Sequence, residues 1–287
     1  MSPAEDIPLR NRLALVGNGR IGAAIARALE LPTPFGRGFD GYRPESGLDA
    51  HRTDGGQRSR HDRYEAVLLC VPDAEIAAAS ALIAPEVMVG HCSGASGLEL
   101  LGEHEAFSIH PLMSVTGAGD AEIGFRQTQV GSQPGTDGAL APHSELAGAA
   151  AALDATTPQA LAFAEELARR LGLRPFRLRA EDRVAYHAAA SIASNFLVTI
   201  EAAAERLAAT AGVERAQLLP LVRATVDNWA RLGPELALTG PVARGDLETV
   251  ERQRRAVAER SPELLELFEA LTTATERLAS SRQLCLR

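Results

Sequence analysis

Two hydrophobic rhythms divide this chain near residue 180. Before that point, short apolar runs of strand length alternate with longer stretches of helical spacing. Leu13-Ala14-Leu15-Val16 predicts a first buried strand, and the alanine-rich run Ala23 to Leu29 predicts a helix behind it. Thr33-Pro34-Phe35 leads into Gly36 to Gly41, read as a compressed second strand and turn. Ala66 to Val71 is the clearest interior strand; Pro72 ends it, and Asp73 is placed to cap a helix running through Ile76 and Leu82. Further strands are predicted at Val87 to Cys92, Ala106 to His110, Ala149 to Leu153 and Pro175 to Leu178, with a helix capped by Thr157 before the last. Beyond Glu181 only helical periodicity remains, over roughly 182–211, 214–232, 246–259 and 262–281. The alternation predicts an α/β unit with a parallel sheet covered on both faces, followed by an all-α unit. The boundaries read as 1–179 and 180–287.

The turn after the first strand is Gly17-Asn18-Gly19-Arg20-Ile21-Gly22. A G-x-G-x-x-G pattern has weight only between a strand and a helix, and both flanks are present here. Gly17 permits the tight turn, Gly19 lets backbone amides approach a pyrophosphate, and Gly22 allows close packing of helix on strand. The helix start adds unpaired N–H groups and partial positive charge. This predicts a Rossmann-type dinucleotide site; a glycine turn of an unrelated α/β protein is the competing reading. Asp40 after the second strand favours NAD and Arg37 favours NADP. Arg37 comes sooner and Arg20 lies near the phosphates, so NADP is preferred.

Composition narrows the function classes. A net charge of −8 argues against a general nucleic-acid surface, and the cluster Arg58, Arg60, Arg63 reads as a solvated loop. No apolar run reaches the ~20 residues that a spanning helix needs. The acidic start and three cysteines without metal-ligand spacing fit a cytoplasmic protein, with Cys70 and Cys92 read as buried thiols. All 29 basic residues are arginine, so no lysine is available for Schiff-base or proton-transfer chemistry. Residues 117–148 are rich in glycine, proline and polar residues, and read as an inserted loop or a lid.

Three places concentrate chemistry. His187, Ser191 and Asn195 follow at successive four-residue steps on an alanine-rich helix and share one face. That stripe is read as catalytic, against the alternative of inter-helix hydrogen bonds and a satisfied core histidine. Thr239-Gly240-Pro241-Val242-Ala243-Arg244-Gly245-Asp246 is a turn between helices: Thr239 offers a hydroxyl, Arg244 a fork for a carboxylate, and Asp246 a cap. Val71-Pro72-Asp73, Cys92-Ser93-Gly94 and His110-Pro111-Leu112 end presumed parallel strands, the edge where open α/β sheets bind ligands.

On Gly17-Asn18-Gly19-Arg20-Ile21-Gly22, Cys92-Ser93-Gly94, His110-Pro111-Leu112, Tyr186-His187-Ala188-Ala189-Ala190, Ser194-Asn195 and Ala237-Leu238-Thr239-Gly240-Pro241 with Arg244-Gly245-Asp246, the chain resembles the Rossmann-like proteins that carry a C-terminal DUF2520 domain. The family is similar in layout to ketopantoate reductases and pyrroline-5-carboxylate reductases. The resemblance implies an NADP-dependent reductase of a small 2-keto acid such as ketopantoate, dimeric through its helical part. An imine reductase and a non-catalytic NADP-binding sensor are the alternatives. It implies cofactor contacts at Gly17, Asn18, Gly19, Arg20, Ile21, Gly22, Arg37, Val71, Pro72 and Ser93, and catalysis by His187, Ser191 and Asn195. Substrate contacts fall to Thr239, Arg244, Asp246 and His110. Ordinary ketopantoate reductases place a lysine four residues before the helix asparagine; here that position is Ser191, so His187 becomes the expected proton donor.

Overall fold

The computed structural model describes residues 9–36, 39, 41, 42, 64–115 and 145–285. Arg37, Asp40, Arg58, Arg60, Arg63 and most of the 117–148 segment lie outside the described residues. The chain divides into two compact units, Met1–Ser191 and Ile192–Arg287.

In the first unit the strands β1 (Leu13–Val16), β2 (Ala66–Leu69), β3 (Met88–His91), β4 (Ala106–Pro111), β5 (Ala150–Ala155) and β6 (Arg174–Arg177) form one sheet in that spatial order. Helices α1 (Arg20–Ala28), α2 (Ile76–Ser80) and α3 (Pro158–Arg170) connect parts of it. Alternate residues serve opposite faces, as a pleated strand requires. Leu13, Leu15 and Leu68 pack with Ile25 of α1 and Phe163 and Leu167 of α3. Ala14, Val16, Val67 and Leu69 pack with Ile76, Ile83 and Leu101 on the other side. Burial on both faces explains why these strands read as continuous apolar runs.

The expected all-parallel order fails at one pair. β4 and β5 run antiparallel, Ile109 opposite Leu153, with the amide of Leu112 bonding Ala150 O at 2.8 Å. The expected second strand contracts to one described bridge, Phe35 beside Val16. That bridge still matters, because it lies on the side of β1 away from β2. The chain therefore departs in opposite directions from the carboxyl end of β1, which makes a topological switch point there.

The helix α3 starts as its sequence requires: Thr157 Oγ1 accepts from Ala160 N at 3.1 Å and Pro158 takes the first turn. Helix α4 (Arg183–Ser191) closes the first unit and is followed by a π-helical segment, Ile192–Phe196. The second unit contains α5 (Leu197–Ala209), α6 (Arg215–Leu232), α7 (Pro234–Ala237), α8 (Pro241–Arg244), α9 (Leu247–Arg260) and α10 (Leu265–Cys285). Its described buried core is small, built on Ala203, Val257 and Leu264. No described helix is long and apolar enough to cross a membrane.

Candidate active site

The glycine turn is tight for reasons that differ at each glycine. Gly17 has φ of 102°, and a Cβ there would stand 2.3 Å from Cys70 O at the end of β2. A Cβ on Gly22 would stand 2.0 Å from Gly17 O, so α1 rests directly on the turn. Gly19 is another case. Its φ of −65° suits any residue, and a Cβ there would meet nothing within 4 Å. Among the described residues nothing approaches a Cβ at position 19, so the space beside it is open. Gly19 is the N-cap of α1 without a side-chain cap, and the first turn holds no acidic residue. The helix end thus keeps its donors and positive potential for an anion. These residues fit a dinucleotide pyrophosphate. Arg20 heads α1 and is exposed, and no described carboxylate pairs with it.

The ends of β2 and β3 are bound together beside this turn. Cys70 and Cys92 are free thiols with Sγ atoms 3.8 Å apart, and that contact with burial holds the Cys92 thiol well above its usual range. Asp73 does not cap a helix, as its position had predicted. Asp73–Glu75 is a 3-10 turn, α2 begins at Ile76 with Glu75 before it, and neither has a side-chain cap. The Asp73 carboxylate instead accepts from Ser93 Oγ at 2.8 Å, a charge-assisted hydrogen bond. Ser93 Oγ also accepts from the amides of Ser96 (2.9 Å) and Ala95 (3.2 Å). One donor and two acceptor positions are then spent, so the hydroxyl expected to meet the cofactor is committed to its own loop. Val71 and Pro72 link β2 to the Asp73 turn. His91 is buried; its Nδ1 accepts from Ser93 N and its Nε2 reaches Gly97 O, both at 3.2 Å, and burial lowers its pKa.

His110, on β4, is the centre of the site. Its Nδ1 lies 2.7 Å from Tyr186 Oη, and its ring meets Tyr186 edge-on at 5.6 Å and His187 at 6.3 Å between centroids. Burial first, then His187 and Arg183, press its pKa down to about 4, so it is neutral at physiological pH. Burial pushes the Tyr186 hydroxyl up to about 12.

Helix α4 is pinned to the sheet beneath this cluster by a buried arginine. Arg183 Nη2 bonds Asp154 Oδ2 on β5 at 2.9 Å and Ser108 Oγ on β4 at 3.1 Å. Only 5% of the Arg183 side chain is exposed, and its Nε bonds to none of the described residues. From this anchor, Tyr186 and His187 follow three and four residues on, the spacing that returns to the same helix face.

The expected residues therefore fall into two groups. His110 and His187 are brought together in the first unit, and Ser191 ends α4. The uniform four-residue step also ends there, because Asn195 sits in the π-helical segment, whose wider turn shifts the register. Asn195, Thr239, Arg244 and Asp246 belong to the second unit. Arg244 ends α8, and no described carboxylate pairs with it. Asp246 caps α9, its Oδ1 accepting from Thr249 N at 3.1 Å, which lowers its pKa.

Sequence reasoning overlooked the roles of Tyr186, Arg183, Asp154 and Asp73. A signal existed for Arg183, which precedes His187 by one four-residue step and so extends the polar stripe toward the start of the helix. None existed for Asp154, whose partner lies on a helix 29 positions away.

Solved structures share this architecture. A protein from Thermotoga maritima is 24% identical, with 94% of this chain and 99% of that chain covered and a TM-score of 0.67. A reductive aminase from Aspergillus terreus, in complex with NADPH and ethyl levulinate, is 16% identical over 96% and 99%, with a TM-score of 0.59. A pyrroline carboxylate reductase from Plasmodium falciparum with NADP bound is 11% identical over 93% and 98%, at 0.50. At such identities the likeness is one of fold. Comparison with curated proteins gives no match. Residues 149–275 match the model of a domain of unknown function, DUF2520, and the chain as a whole has an α/β Rossmann-like fold.

Proposed function

We propose that this protein is an NADPH-dependent reductase of a small 2-keto acid. One observation supports it above the others. The protonatable cluster of His110, Tyr186 and His187 forms at the carboxyl edge of the sheet whose first strand leads into the glycine turn. A sensor without turnover needs the turn but has no use for the cluster. The NADP-bound and NADPH-bound proteins of the same fold add support for that cofactor, as does Arg20 at the head of α1, which pairs with no described carboxylate.

NADPH, when bound, would supply the hydride for reduction of the substrate carbonyl. The chain supplies the rest. The N-terminus of α1, opened by Gly19, holds the diphosphate. His187 donates the proton to the new alkoxide, directly or through water, within the ~3 Å that such transfer requires. Ser191 orients the carbonyl; in the second unit Asn195 and Thr239 are suited to polar contacts with a substrate, and Arg244 offers a fork for its carboxylate. Asp246 keeps Arg244 in place by capping the helix after it. The free thiols at Cys70 and Cys92 support a cytoplasmic location.

A second copy of the chain completes the molecule in this reading. The helical unit buries little of its own apolar surface, while Leu221, Trp229 and Leu236 remain exposed, Trp229 at 59%. Such surface calls for a partner, and a symmetric dimer is the commonest answer.

Fluorescence titration with NADPH and NADH, followed by NADPH oxidation with a panel of 2-keto acids and cyclic imines, tests the proposal. Tight NADPH binding with turnover of keto acids is the expected result. Turnover of imines alone would move the assignment to an imine reductase, and binding without turnover on either panel would leave a sensor. Light scattering reports the dimer.

A further inference from the structure

The His110 ring is restrained on nearly every side. A Cβ on Gly94 would stand 2.7 Å from its Cε1 and 2.8 Å from its Nε2, so the ring lies against a backbone that only glycine leaves bare. Tyr186 and His187 meet it through their rings, and Tyr186 Oη holds Nδ1. Nε2 alone bonds to none of the described residues. We infer that His110 is a further catalytic residue, a neutral imidazole that presents Nε2–H to the carbonyl oxygen of the substrate, with Tyr186 fixing that tautomer by donating its phenol proton to Nδ1. This rests on the reductase reading and deepens it.

The tautomer follows from hydrogen-bonding capacity. A neutral imidazole has one N–H and one bare nitrogen, and the second partner decides which is which. A phenol is a good donor and a weak acceptor, so the bare nitrogen faces Tyr186 and the proton sits on Nε2. Most of the charged groups described around the ring act in the same sense: His187, Arg183 and His91 disfavour a cation, and Asp73 opposes them.

A neutral N–H keeps its proton, yet its hydrogen bond strengthens as negative charge gathers on the carbonyl oxygen. The proton that completes the alcohol still comes from His187. Substrate class follows as well. A carbonyl oxygen has lone pairs for Nε2–H, whereas a protonated imine has none, so the site selects carbonyl compounds.

Two measurements test this. In nitrogen-15 NMR of the whole protein at neutral pH, His110 should be one neutral tautomer with the proton on Nε2, and Tyr186→Phe should relax it to a mixture. A proton on Nδ1, or a cationic ring, would overturn the inference. In NADPH oxidation with the 2-keto acid that the panel identifies, His110→Leu should lower kcat about 100-fold or more. His110→Gln, which retains an N–H donor, should recover part of that loss, and Tyr186→Phe should lower kcat with little change in KM. Equal activity of the Leu and Gln variants would count against the role, provided thermal melts show both folded. A panel with no turnover would overturn the reductase reading and the catalytic role with it, whereas turnover with the wrong tautomer would overturn this inference alone.

Discussion

The phenol oxygen of Tyr186 lies 2.7 Å from Nδ1 of His110, across 76 positions of sequence. The contact joins the end of a sheet strand to a helix that starts after two more strands, and it exists because Arg183 fastens that helix to β4 and β5. Burying an arginine is costly unless its charge is paired. Here Asp154 pairs it, and the arrangement fixes where Tyr186 and His187 stand.

Removing one member of the buried pair should therefore be expensive. Asp154→Ala is expected to lower stability by about 3 kcal/mol, with Arg183→Ala at least as damaging. Arg183→Met combined with Asp154→Ala should recover part of the loss, since no charge is then left stranded. Urea unfolding of the three variants measures this.

The glycines of the turn should separate fold from ligand. Gly19→Ala is expected to fold with a loss of about 1 kcal/mol, the difference between glycine and alanine as N-caps, while NADPH binding weakens at least tenfold. Gly22→Ala should lose about 3 kcal/mol, because its Cβ collides with the Gly17 carbonyl. Thermal melts alongside NADPH titrations distinguish the two effects.

Acid should loosen the first unit before ordinary carboxylates titrate. In the unfolded chain His110 takes its proton near 6.5, whereas in the fold it resists until about 4. Between those values the unfolded state binds more protons, so the stability due to His110 is full above about 6.5 and lost progressively toward 4. His91, also lowered by burial, acts in the same direction. Urea midpoints across this range should fall with pH, and less steeply in His110→Gln.

The division of labour in the proposed reaction predicts distinct kinetic signatures. Arg244→Ala should raise KM far more than it lowers kcat, because a carboxylate clamp acts on substrate and transition state alike. His187→Ala should lower kcat by about 100-fold or more, since a general acid acts only as the bond changes. Steady-state kinetics with the active keto acid gives both values, and the opposite pattern would exchange the two roles.

Much of the architecture was legible before folding was considered. Thr157 announced the start of α3, and Asp246 that of α9, because a capping side chain needs only the amides of its own next turn. Leu13 to Val16 and Ala66 to Val71 read as buried strands because both faces of β1 and β2 are covered. Asp73 misled the same local logic: its helix-like spacing was real, but its carboxylate bonds to a serine 20 positions away instead. The reversal of β5 was equally hidden, since a strand has the same apolar pattern in either direction.

The sequence by itself determined the order of elements, the glycine turn and the presence of His110 and His187, because each is written in neighbouring residues. Tertiary structure alone decided that Tyr186 faces His110, that Arg183 anchors their helix, and that Ser93 turns to Asp73 and its own loop. Those pairings depend on which side chains are buried together, and burial is a property of the assembled sheet and helix rather than of any stretch of chain.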